Sequence, residues 1–171
     1  MKIFTISDKK EEKFLRTKTA NFDFSKYAKK DIDELIKKMK ISMLKANGIG
    51  LSANQIGLNI QLFVAQIPKI KREKIVGKES HIIFNPKIEN ASKKISIMEE
   101  GCLSVPGLYG LVERPESVVL RGYNRYAKPI TVKADGLLAR VFQHEIDHLN
   151  GILFIDKAKK LYKLETNGRN L

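Results

Sequence analysis

His144 and His148 stand four residues apart in QHEIDHLNG, and of everything in this sequence that pair restricts the fold most. Four residues is just over one helical turn, so both imidazoles lie on one face, close enough to share a metal ion. The fold must then bring a third ligand from a distant segment onto that same face. The helix carrying the pair is predicted to start near Asp135 and to end at Asn150 and Gly151, where a left-handed cap is cheap. On it Leu137, Val141, His144 and His148 follow i, i+4, i+7, i+11, so an apolar stripe runs directly into the histidines. Val141 is the better pocket candidate of the two apolar residues, and Leu137 equally fits ordinary core packing.

H-E-x-x-H is also a signature of zinc metalloproteases, with the intervening Glu as general base. Their further ligands are missing here. The place six residues beyond His148 is Phe154, and the one later glutamate, Glu165, lies in a polar tail. His81 sits in an apolar strand candidate and reads as structural. Cys102, the single cysteine, remains as the soft ligand, in the turn-rich stretch EEGCLSVPG. One Cys and two His leave the fourth position of a tetrahedral site open, as a catalytic metal requires. Glu145, next to a ligand and about 100° around the helix from it, is placed to exchange a proton with a water there.

The remaining chain predicts an α+β fold: short antiparallel strands packed around the metal-binding helix, with an amphipathic helix nearer the N-terminus. That first helix shows Ile32, Leu35, Ile36, Met39 and Met43 at a 3.6 period, Asp31 and Glu34 placed like a capping pair, and Asn47 and Gly48 as its stop. The uncharged stretch GIGLSANQIGLNIQLFVAQIP follows, strand-rich from Ile60 to Ile67. HIIFNP, KKISIM, ESVVLRGYN and PITVKA are further strand candidates. The 171 residues suit one domain, with a basic tail over about 156–171. The acidic residues near the start and the lack of long apolar runs predict neither a leader nor a membrane span, hence an intracellular protein.

A net charge of +13 raises nucleic acid as a partner. Residues 95–155, which carry the cysteine and the H-E-x-x-H histidines, hold 6 basic and 7 acidic side chains, so the excess lies in the flanks. A solvated lysine-rich surface accounts for it, and no aromatic residues interleave as in a single-strand binder. Gly48, Gly50 and Ala53 formally match a dinucleotide fingerprint, but a helix precedes them and a strand follows, the reverse of what that fingerprint needs. Taken alone, Gln55 in this loop reads as a surface glutamine in a turn.

Three stretches taken together, GIGLSANQ, EGCLS and QHEIDH, resemble in order and spacing the three motifs of the peptide deformylase family. The resemblance runs from the first helix to about Ile155. It implies hydrolysis of the formyl group from the N-terminal formylmethionine of new polypeptides, in the cytoplasm of a bacterial-type cell. It implies one divalent ion, Fe(II) before Zn(II), Ni(II) or Co(II), on Cys102, His144 and His148, with Glu145 as acid and base. By the same match Gln55 and the Leu103 backbone N–H receive the oxyanion, Ile49 joins Val141 around the methionine side chain, and Gly50 and Glu100 lie along the substrate backbone. Asp147 pairs with Arg114 to hold the metal helix. Ser52 stands where the family usually has alanine, from which only an altered loop hydrogen bond is expected; Tyr109 and Arg140 stand where members differ around the groove. The rival readings are a metalloprotease cutting internal bonds and a basic ribosome- or RNA-binding module without catalysis. In either the deformylase or the module, the basic flanks are a candidate contact with the ribosome.

Overall fold

A computed structural model describes residues 1–71 and 74–163. Helices α1 (Lys9–Leu15) and α2 (Lys29–Lys45) come first, followed by strands β1 (Gly50–Ser52), β2 (Leu62–Lys71) and β3 (Lys74–Ala91). Strands β4 (Ile95–Cys102), β5 (Val105–Pro115), β6 (Ser117–Tyr123) and β7 (Pro129–Asp135) lead into helix α3 (Gly136–Leu149), and β8 (Ala158–Lys163) ends the described chain. All strand pairs are antiparallel, in a five-stranded sheet of order β1-β2-β3-β6-β7 and a three-stranded sheet β4-β5-β8.

Strand β2 explains the layering. Its run LFVA is apolar at every position because both of its faces are covered. Phe63 and Ala65 pack with Phe142, Ile146 and Leu149 of α3, while Leu62 and Val64 pack with Ile32, Ile36, Met39 and Met43 of α2. The alternation of strand side chains thus places one helix on each side of the larger sheet. Helix α3 also touches β5, so it lies against both sheets. No helix among the described residues is long and apolar enough to cross a membrane.

The α+β class and the α3 boundaries agree with the expectation. Helix α3 ends as the Gly151 signal predicted: Gly151 has φ 76°, its N–H bonds the His148 carbonyl and that of Ile152 bonds Asp147. Asn47 plays the same part for α2, with φ 56°. The capping pair does not hold. Helix α2 begins two residues before Asp31, with Ala28 at its N-cap and no side-chain bond; Asp31 lies inside the first turn and Glu34 pairs with Lys38 at 2.7 Å. The expected strand HIIFNP lies inside a longer strand, which extends back to Lys74, where Ile67–Lys71 continues to pair with it, and on to Ala91 beside β6. EEGCLSVPG holds its turn at Leu103 and Ser104, a tight reversal between the end of β4 and the start of β5. Within the expected basic tail, Ala158–Lys163 is strand β8 and 164–171 lie outside the described residues.

Candidate metal centre

The two histidines of α3 present Nε2 atoms 3.2 Å apart, and Cys102 at the end of β4 brings its Sγ to 3.1 Å from His148 Nε2. All three donor atoms lie within 4.8 Å of one another. The register between β4 and β5 slips between Gly101, paired with Tyr109, and Cys102, paired with Val105, an irregularity of the kind that re-aims a side chain. His81 is elsewhere, edge-on to Phe142 with centroids 5.1 Å apart, a packing role as expected.

His144 is held from behind through its ring. His144 Nδ1 lies 2.9 Å from Glu100 Oε2. That carboxylate also receives Arg114 Nε at 2.6 Å, Arg114 Nη2 at 2.9 Å and Arg140 Nη1 at 2.8 Å. Burial pushes the Glu100 carboxyl up, but hydrogen bonds and charge from Arg114 and His144 outweigh it and keep it well below the usual carboxylate range. An ionised Glu100 fixes a proton on Nδ1 and so aims the Nε2 lone pair of His144 into the centre. The α3 backbone beside His148 is tied by Asn54, whose Nδ2 donates to the His148 carbonyl at 2.6 Å. Arg114 Nη1 and Lys157 Nζ both reach Asp147 at 2.7 Å, which moors α3 to β5 and to the segment before β8. Burial likewise raises the Cys102 thiol, yet the imidazoles of His148 and His144 prevail and lower it well below a free thiol. Burial lowers His144, but Cys102 and Glu100 raise it to about 10.

These residues fit a divalent ion. Ordinary metal–sulfur and metal–nitrogen bond lengths give a tetrahedron with edges of about 3.4–3.6 Å. The observed separations of 3.2 and 3.1 Å approach that from the tight side. A thiolate and two imidazole nitrogens converging this closely need a cation between them, a proton or a metal, and binding of the metal releases the proton.

Around the centre lies a groove of about 530 Å³ lined by both helical and strand residues, including Ile49, Gly50, Val141, Leu137 and Tyr109. Val141 is buried while Ile49 and Leu137 are half exposed at the rim. Leu103 lines it too. Glu145 is 3% exposed, and burial is the largest influence on its carboxyl, raising it against His144, His148 and Ser52. Gln55 is not at the surface, as its loop alone suggested, but 2% exposed in a single 3₁₀ turn, Ala53–Ile56. Its Oε1 accepts from the Ser52 N–H at 2.8 Å, which leaves Nε2 directed at Ser104 Oγ, 3.0 Å, and Cys102 Sγ, 3.6 Å.

Glu100 and Arg140 both line the groove. The Glu100 carboxylate is taken up by Arg114, Arg140 and His144, and Arg140 is buried, bonded also to the carbonyls of Val112 and Ser96. One expectation needs correction: Ser52 does more than adjust a loop, since its Oγ lies 2.6 Å from Glu145 Oε2. Asn54 was not singled out at all. The pattern Ser52-x-x-Gln55, a capping-box spacing, was the signal that could have marked this turn as built rather than loose.

Residues 1–164 match the family described as Polypeptide deformylase. The peptide deformylase of Rhizobium meliloti (strain 1021) is 45% identical over 131 residues, 77% of this chain and 73% of that protein. Two further curated relatives are matched over 62% of their own length. Among solved structures, a probable peptide deformylase from Synechococcus phage S-SSM7 superposes with a TM-score of 0.79 at 41% identity, covering 92% of this chain and 99% of that one. The Met-Ala-Ser-bound class I type b peptide deformylase of Acinetobacter baumannii gives 0.80 at 28%, covering 91% and 96%.

Proposed function

The chain belongs to the polypeptide deformylase family, and from that premise we propose that it is a metal-dependent amide hydrolase that frees formate from N-formylmethionyl peptides. The observation that carries the reading is the convergence of Cys102, His144 and His148 beside a buried Glu145 in an apolar groove. Cys102, His144 and His148 hold one divalent ion. Their donor set suits Fe(II), Zn(II), Co(II) or Ni(II), and we take Fe(II) as native on the family resemblance. When bound, the ion supplies Lewis acidity, lowering the pKa of a water from about 15.7 toward ~7.

The chain's own residues do the rest. Glu145 accepts the proton of the attacking water and returns it to the departing amine. Gln55 Nε2 and the Leu103 N–H donate to the oxygen that becomes negative as the formyl carbon turns tetrahedral. Ile49 and Val141 make an apolar slot for an unbranched methionine side chain, with Leu137 at its rim. Asp147 and Arg114 keep α3 in register with β5. A structure of an Acinetobacter relative holds Met-Ala-Ser, and a formylated form of that tripeptide is the substrate to try first. Formate released from formyl-Met-Ala-Ser with no cleavage of casein supports this reading; casein cleavage without formate supports a general metalloprotease.

Gln55→Ala is expected to lower kcat by roughly 10²–10³-fold, as for other side-chain oxyanion donors, with metal content unchanged. An unaltered kcat at full metal occupancy removes Gln55 from the mechanism. The protein works in the compartment where translation occurs, and its basic flanks contact ribosomal RNA. Sedimentation with ribosomes should then fall steeply as salt rises, while turnover of a short peptide changes little. Cosedimentation that is absent or indifferent to salt leaves the lysines as solvated surface.

A further inference from the structure

Ser52 ends β1 fully buried, and its hydroxyl meets two oxygens of one residue on α3: Glu145 Oε2 at 2.6 Å and the Glu145 carbonyl at 2.9 Å. A hydroxyl has one proton to give, and the carboxylate oxygen is the nearer of the two, so it is the preferred acceptor. Two residues back on the same strand, Gly50 faces the same way. A Cβ at Gly50 would overlap Glu145 Oε1 and stand 3.1 Å from Val141 Cγ1. Gly50 is not among the residues with positive φ. Its lack of a side chain therefore provides room, not conformational freedom.

We propose that Ser52 and Gly50 together position the Glu145 carboxylate, Ser52 tying Oε2 while the bare Cα of Gly50 admits Oε1 at the groove wall, so that Oε1 is the oxygen that exchanges the proton. The terminal torsion of a glutamate is broad, and an untied carboxylate spends part of its time turned away from the reacting water. This rests on the deformylase reading and adds a positioning residue to it. The Ser52 backbone N–H, not its hydroxyl, holds Gln55 Oε1, and that contact survives loss of the hydroxyl.

The test is a double-mutant cycle of Ser52→Ala and Glu145→Gln, with kcat, KM for formyl-Met-Ala-Ser, metal content and melting temperature measured on all four proteins. Ser52→Ala should lower kcat about tenfold, the worth of one hydrogen bond to a charged group, with KM and metal content unchanged. In the Glu145→Gln background the same change should cost less than about twofold, because the group it positions is gone. An unchanged kcat for Ser52→Ala, or a loss that persists undiminished in the Gln background, overturns the proposal and leaves the deformylase reading intact. A parent protein that releases no formate overturns both.

Discussion

Replacing Cys102 by alanine is expected to abolish tight binding of the divalent ion and with it all measurable formate release, while the chain stays folded. The sulfur is the one anionic donor of the three, and it also receives the Ser104 N–H at 3.4 Å. Without it two imidazoles remain on one helix face, a site with too few ligands and no negative charge. The fold should survive because Cys102 is half-buried at a strand end and the clusters formed by α2, α3 and the larger sheet do not include it. Metal analysis after dialysis, beside a circular dichroism spectrum, checks this. One tightly held equivalent in the variant would reject Cys102 as a ligand.

Glu145→Gln has the next largest expected effect and separates chemistry from binding. The amide keeps the size of the carboxylate but cannot take a proton, so the rate should fall by ~10²-fold or more with metal content unchanged. Glu145 is spaced off the His144/His148 stripe, its Oε2 tied to Ser52, and nothing in its placement makes it a ligand. A variant that loses its metal, or that turns over as fast as the parent, gives Glu145 a different role.

The parts of this site that could be read from sequence are those written in local spacing. The i, i+4 histidines with Glu145 between them need only helix geometry, and the helix announces itself through its period and through Gly151. Cys102 followed because the chain has no other cysteine. What escaped are long-range partnerships. Glu100 meets Arg114, Arg140 and His144 from 14, 40 and 44 positions away, and Ser52 meets Glu145 across 93. No local pattern encodes such pairs. The fold shows the same division. Helix α2 and the apolar runs of β2 were legible from periodicity, while β5 was hidden by Pro106, Gly107 and Gly110, which read as turn residues although the strand pairs on both sides with β4 and β8. Strand β8, rich in lysine, looked like a solvated tail. The seven-residue α1 is set by the cap from Asp8, whose carboxylate accepts from the Lys10 and Glu11 N–H groups, and offers too few turns for a period to appear.

The central claim is that one ion, held by Cys102, His144 and His148, is required for the release of formate. Titration of the chelator-stripped protein with Fe(II) under anaerobic conditions tests it most directly, formate release from formyl-Met-Ala-Ser being followed at each addition. The account predicts no turnover in the stripped protein, a linear rise and a plateau at one equivalent, with no rise for Cys102→Ala. Full turnover in the stripped protein, or an equal response from the Cys102→Ala variant, would contradict it.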